Sequence, residues 1–308
     1  MPRTTGLHHV TSIAGSAQGN VDFYTDRLNL RLVKRTVNFD DPNTWHLYYG
    51  DRTGSPGTLI TFFPWEGIPS GRAGAGEVAV TSYAIPRDAV GDWREALELE
   101  AEPVERFGAP VLAFRDSDES RLELVGREAA GDDGTDIRGF HGVTLSVARP
   151  DLTARLLADV LGFEEAGEED GRLRLEAAGD GEGRIVDLLA ASGSAPARLG
   201  SGSVHHVAFR ARDDEEQAAF REALLAAGFD VTPVRDRQYF RSIYFREPGG
   251  VLFEIATDPP GMLIDESVET LGSELRLPPW YEPARARIEA ALPPIRTRDA
   301  EAAGDPAS

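Results

Sequence analysis

Four stretches of this chain begin alike, and that likeness constrains the fold more than any other feature. They are "GLHHVTSI" at 6–13, "EVAVTSYAI" at 77–85, "GFHGVTLSV" at 139–147 and "SVHHVAFRA" at 203–211. Each is short, β-rich and followed by residues spaced for a helix. Those middles are "GNVDFYTDRLNLRLV", "PRDAVGDWREALE", "PDLTARLLADVLGFEEA" and "DEEQAAFREALLAAGFDV". Each repeat then closes on another β-rich run: "GTLITFFP", "SRLELVG", "GRIVDLLA" and "GVLFEIAT". Strand, helix, then further strands, four times over, predicts an α+β fold of four βαβββ modules.

Local signals place the elements. Asp213, Asp214 and Glu215 stand where carboxylates suit a helix N-terminus. Phe220, Leu224, Leu225 and Ala227 carry the apolar spacing of that helix. "LGF" at 161–163 and "AGF" at 227–229 read as glycine stops before a new strand. "YFREPGGVLFEI" reads as a hairpin around Pro-Gly-Gly. The modules are expected at 1–65, 76–127, 138–191 and 202–258. Gly/Asp-rich loops separate them at 129–138 and 177–183, with a linker at 191–203. A C-terminal extension at 259–296 should hold a short helix from about Glu282, and 297–308 reads as an acidic tail.

Superimposing the repeats exposes candidate chemistry. His9 and His206 fall at one position of the first strand in modules one and four. Module three has His141 aligned with His8, then a glycine; module two has Thr81 near that place. On the last strands Glu254 aligns with Glu123 and Asp187, whereas module one offers only Thr61 among apolar neighbours. His9, His206 and Glu254 therefore form a candidate two-histidine, one-carboxylate metal set, which leaves coordination positions open. If they share one metal, modules one and four face each other, and modules two and three pair. A plainer reading stays open for each: a strand histidine is ordinarily a packing residue. A glutamate in an apolar strand, however, is costly unless paired or metal-bound. Strand alternation puts His8 and His205 on the face opposite His9 and His206. His46, in "TWHLYYGD", lacks a repeat partner and reads as structural. Tyr244 lies ten residues before Glu254, as expected for strands flanking one hairpin. It could supply a phenolic proton, and Arg237 a cation for an anionic substrate. On composition alone, an ordinary hairpin with a solvated arginine face is the better reading of that segment.

Composition narrows the class. With 308 residues, 41% of them hydrophobic, the chain can bury a sizeable core. A formal charge of −20 disfavours nucleic acid and anionic membranes as partners. The absence of cysteine excludes disulfides, thiolate metal sites and cysteine nucleophiles. Neither a signal-like N-terminus nor a membrane-length apolar run is evident, so a cytoplasmic location is expected.

The stretches "GLHHVTSIAGSAQGNVDFYTDRLNLRLVKRTVNFDDPNTWHLYYGD", "SVHHVAFR", "RQYFRSIYFREPGGVLFEIATDPPG" and "LPPWYEPAR" resemble ring-cleaving dioxygenases of the vicinal oxygen chelate superfamily, the glyoxalase/bleomycin-resistance/dioxygenase group. Within it they are most similar to iron(II)-dependent hydroquinone dioxygenases. The resemblance implies that the four modules pair, each pair forming a cupped mixed sheet, and that a non-haem Fe(II) centre, with Mn(II) the other candidate metal, is held by His9, His206 and Glu254. It implies pocket roles for His8 and Thr11 in substrate binding and for His205, Tyr244 and Arg237 in catalysis. The partners would be an aromatic diol and O2, with a homo-oligomer open to the chain. Two rival functions share the fold: a glyoxalase-type metal lyase or isomerase, and a protein that sequesters an aromatic compound.

Overall fold

The computed structural model describes residues 2–128 and 136–297. Residues 298–308 of the tail expected at 297–308, and 129–135 of the loop at 129–138, thus lie outside the described residues. The first repeat forms β1 (Leu7–Ala14), α1 (Ala17–Asp22), β2 (Arg31–Asn38), β3 (Asp41–Gly50) and β4 (Leu59–Pro64). The second forms β5 (Glu77–Pro86), α2 (Val90–Ala96), β6 (Val104–Arg106), β7 (Ala109–Arg115) and β8 (Arg121–Arg127). The third forms β9 (Gly139–Val147), α3 (Pro150–Leu156), β10 (Glu164–Glu169), β11 (Arg172–Glu176) and β12 (Ile185–Ala190). The fourth forms β13 (Val204–Ala211), α4 (Asp214–Ala226), β14 (Arg235–Asp236), β15 (Phe240–Arg246) and β16 (Leu252–Pro260). In the C-terminal extension, α5 spans Arg285–Ala291.

These strands make two eight-stranded mixed sheets, the α+β architecture predicted from the repeats. One runs β14-β15-β16-β13-β1-β4-β3-β2, the other β10-β11-β12-β9-β5-β8-β7-β6. The first and last quarters of the chain therefore share a sheet, joined where β1 pairs antiparallel with β13. Within each module the first and last strands lie parallel, as β1 with β4 and β13 with β16, so a crossover helix must connect them. The connecting segments at 70–75 and 196–201 bridge to each other as the chain passes between the sheets.

The start of α4 follows its sequence signal. Asp213 caps α4 by accepting the Glu216 amide N–H at 2.9 Å. Phe220 and Leu224 of that helix are buried, but Leu225 and Ala227 are exposed, so its apolar stripe is narrower than the sequence spacing suggests. In modules one and three the helix expected as one piece is a short α-turn followed by a π-turn, at Phe23–Arg27 and Leu157–Leu161. One apolar cluster runs through both sheets and includes Val10, Phe140, Phe209 and Phe253, each essentially inaccessible. Each such aromatic contributes about 1.5–3 kcal/mol by leaving water.

The C-terminal extension is anchored by charge. Lys34, the only lysine in the chain, is fully buried on β2. Its ammonium pairs with Asp265 at 2.6 Å and with buried Glu266. Arg276 adds a second cation 3.5 Å from Glu266. Buried charges this close compensate one another only as a set, which pins residues 265–276 to β2.

Candidate metal centre

Three polar side chains meet where β1, β13 and β16 lie side by side. The His9 and His206 Nε2 atoms are 3.2 Å apart. Glu254 Oε2 lies 2.9 Å from His206 Nε2 and 3.4 Å from His9 Nε2. All three residues are buried, and their ligand-type atoms fall within 4.8 Å of one another. Among the described residues no other such group occurs. Ser242 donates its hydroxyl to the other Glu254 oxygen, which orients the carboxylate. Burial alone would raise the Glu254 carboxyl, but the His9 and His206 imidazoles outweigh it and hold it well below the usual range. Two imidazole nitrogens and a carboxylate oxygen converging on one point are a donor set suited to a divalent cation.

The preceding histidines do not point away. His8 Nδ1 lies 3.0 Å from His9 Nδ1, and His205 Nδ1 lies 2.8 Å from His206 Nδ1. The alternation expected from strand geometry fails because both strands bulge there. In the β1–β13 ladder, Leu7 faces Phe209 and His9 faces Ala208, leaving His8 as an extra residue; likewise Thr11 faces His206 and Ser12 faces Val204, leaving His205 extra. A bulge lets consecutive side chains share a face, and each pair uses it to turn one Nδ1 onto the next. A nitrogen so engaged fixes the tautomer and leaves Nε2 for the common point.

The second sheet carries the same bulges. There Ala79 and His141 are the extra residues, so Val80 and Gly142 occupy the positions of His9 and His206. Module two's counterpart is thus Val80, not Thr81. Gly142 leaves no room for a ligand: a Cβ there would lie 2.3 Å from the Ile185 carbonyl oxygen. The last strands align as expected. Ala208 faces Glu254, Ser82 faces Glu123, Thr144 faces Asp187 and Thr11 faces Thr61. Arg106 holds Glu123, and Arg172 with Arg174 hold Asp187, so both carboxylates of the second sheet are spent on internal ion pairs.

A cavity of about 160 Å³ opens above the three-residue group. Its wall includes His205, Arg237 and Tyr244 from the predicted set. Tyr244 stands opposite Glu254 in the β15–β16 ladder, the hairpin relation its spacing suggested. Arg237 Nε donates to the Tyr244 hydroxyl at 3.0 Å. Burial, with the Glu254 charge adding to it, pushes the Tyr244 phenol up, so it stays protonated. Burial, reinforced by His206, lowers His205 to about 4, which leaves it neutral near pH 7. His8 and Thr11 stand behind the wall rather than on it: His8 packs on Phe240, and Thr11 shares a 2.8 Å hydrogen bond with Thr61.

The structure also brings in a residue that sequence reasoning set aside. His46 is on the cavity wall, with Nε2 2.9 Å from the Thr61 hydroxyl and Nδ1 2.9 Å from the Tyr48 hydroxyl. Tyr48 faces Thr61 as Tyr244 faces Glu254. His46 and Tyr48 are therefore the module-one counterparts of Ser242 and Tyr244. The signal was present as His46-x-Tyr48 beside Ser242-x-Tyr244, the same period-two pattern. Phe39, Phe63, Trp65 and Phe240 supply the apolar part of the cavity.

Paired βαβββ modules that cup a buried His₂–carboxylate group under an aromatic-lined cavity define a class of small-molecule metal-site proteins. The model of the Glyoxalase/Bleomycin resistance protein/Dioxygenase superfamily matches residues 6–158 and 139–255, and the chain belongs to that superfamily. It is 48% identical to MhqO of Bacillus subtilis, a protein with a provisional ring-cleaving dioxygenase name, over 96% of this chain and 98% of MhqO. It is 35% identical to a chlorohydroquinone/hydroquinone 1,2-dioxygenase of Sphingobium indicum, over 91% and 93% of the two chains. A crystal structure of a Bacillus subtilis protein, likewise provisionally named a dioxygenase, superposes with a TM-score of 0.91 at 46% identity, covering 97% of this chain and 99% of that one. No helix among the described residues is long and apolar enough to cross a membrane.

Proposed function

We propose that this protein is an iron(II)-dependent, extradiol-type ring-cleaving dioxygenase acting on a hydroquinone-like or other aromatic diol with O2. The observation that carries the reading is the open fourth position. Thr61 stands where a fourth ligand would stand, and its hydroxyl is engaged by Thr11 and His46. Three protein ligands leave room for both a substrate oxygen and O2. The names of MhqO and of the hydroquinone 1,2-dioxygenase support the same reading. The cavity matches in size the roughly 150 Å³ void known to take benzene, so one ring fits it.

His9, His206 and Glu254 would hold the metal, and His8 and His205 would orient the two imidazoles. A bound Fe(II) would supply coordination positions for a ring hydroxyl and for O2 and carry electrons between them. The chain's own groups do the rest. His205 lines the cavity; with its Nδ1 engaged by the His206 Nδ1–H, its remaining Nε2–H can donate a hydrogen bond to a substrate oxygen. Tyr244, kept protonated and held by Arg237, can donate a hydrogen bond to an oxygen that gains negative charge. Phe39, Phe63 and Trp65 orient the ring and exclude water. A lyase or isomerase of the glyoxalase type gains no support from a hydroxyl in the fourth position.

The test is anaerobic reconstitution with Fe(II), then O2 uptake with hydroquinones, catechols and a methylglyoxal–thiol adduct. Uptake of one O2 per diol consumed is expected. Isomerase activity without diol-dependent uptake would overturn the proposal. Glu254→Ala that still bound iron as the parent does would remove the ligand assignment.

A further inference from the structure

The cavity mouth carries a charge arrangement that the ring-cleavage reading does not use. Three formally charged side chains other than histidine line the cavity: Asp40, Arg237 and Glu254. Glu254 belongs to the metal group. Arg237 is largely buried, with 17% of its side chain exposed, and its Nη2 donates to Asp40 Oδ2 at 3.0 Å. Arg235 stands 3.8 Å from the same carboxylate. Asp40 thus faces two guanidinium groups at the mouth.

Its position is built by several contacts. Asp40 sits on the tip between β2 and β3, where its own amide N–H donates to Asn38 Oδ1 at 2.9 Å. The C-terminal extension then braces the tip. The Tyr281 hydroxyl donates to the Phe39 carbonyl at 2.9 Å, and the Trp280 ring meets Phe39 edge-on at 5.6 Å. This gives "LPPWYEPAR" a role: it holds one wall of the cavity in place.

We infer that Asp40 is the specificity residue that restricts this cavity to uncharged rings. It pairs with Arg237, so a ring bearing a carboxylate finds no free guanidinium inside and meets the Asp40 carboxylate at the mouth. A phenolic ring needs no such cation and is unaffected. The inference rests on the aromatic-ring reading of the cavity, not on ring cleavage itself.

The test uses the Fe(II)-loaded protein under anaerobic conditions, titrated calorimetrically at low ionic strength with phenol and with benzoate. Neither probe depends on turnover. Asp40→Asn should tighten benzoate by about tenfold or more and leave phenol within about threefold, since a unit charge a few ångströms away acts on the anion and not on the neutral ring. Asp40→Glu, which keeps the charge, should behave as the parent. Adding Arg237→Ala to Asp40→Asn should cancel the gain. Unchanged benzoate affinity in Asp40→Asn, or a gain that survives loss of Arg237, would overturn the inference. The Asp40 side chain is 60% exposed, so substitutions at that position leave the core intact. Absence of O2 uptake with every diol would remove the dioxygenase proposal and leave this result standing.

Discussion

Replacing the first histidine of each pair should weaken the metal without touching a ligand, and by unequal amounts. In His8→Leu or His205→Leu the Nδ1 contact of 3.0 or 2.8 Å to the following imidazole is lost. One neutral hydrogen bond is worth about 0.5–1.5 kcal/mol net, or roughly two- to tenfold in affinity. The freed imidazole also loses its fixed tautomer, and loss of such an outer partner typically costs about 10–100-fold. Burial decides where each variant falls. His8 is 2% exposed, so no water can take its place, and His8→Leu should fall in the upper range, about 10–100-fold. His205 is less buried and lines the cavity, so water can substitute and the loss should be about three- to tenfold. Asparagine in either place restores a polar atom near the lost nitrogen and should recover part of the affinity. Competition for Fe(II) against a chromophoric chelator measures each constant, and melts of the metal-free variants separate folding losses. Parent-like affinity in both leucine variants would refute the orienting role, and a larger loss at His205 than at His8 would refute the burial argument.

Three further outcomes follow from the same geometry. Lys34→Ala leaves Asp265 and Glu266 short of a buried cation and should cost about 3–5 kcal/mol, read as a fall in the denaturant midpoint. Gly142→His should fail to create a second metal site and should destabilise by about 3 kcal/mol, because its Cβ would strike the Ile185 carbonyl; metal stoichiometry and a melt check both halves. Burial raises the Asp116 carboxyl above 3.8, although hydrogen bonds from Ser120 and Tyr24 oppose it. The folded state therefore holds that proton more tightly than the unfolded chain does. The associated stability is full below 3.8 and declines as pH rises through the raised value. Asp116→Asn should flatten that part of the stability profile in denaturation curves taken across acid pH.

What was legible in the sequence, and what was not, divides along physical lines. The modules could be read because each repeats the same periodicity, and a repeated "HHV" is hard to explain as packing alone. The three candidate ligands were readable because Glu254 is an ionisable residue in an apolar strand that has counterparts in Glu123 and Asp187. The orientation of His8 and His205 was not readable, since a bulge leaves no mark in composition and reverses the alternation rule for one residue. The same bulge moved module two's counterpart from Thr81 to Val80. His46 was missed because its counterpart, Ser242, shares its position but not its chemistry. The tip at Asp40 was missed because the arginine it engages lies 197 residues away.

The two sheets show two solutions to one problem. A carboxylate on the last strand of a module is buried in both, and a buried carboxylate must be compensated. In the second sheet the compensation is permanent. Arg174 stands at the Tyr244 position and Arg172 at the Ser242 position, and both hold Asp187. Arg106 holds Glu123 from the adjoining edge. In the first sheet those positions carry a phenol and a hydroxyl, neither of which brings a charge. Glu254 is left facing two imidazoles whose other nitrogens are already engaged. That arrangement leaves its charge for a cation from outside the chain. The contrast makes a metal ligand the stronger reading of Glu254: where the chain supplies its own cation it uses arginine, and here it places only groups that can share one.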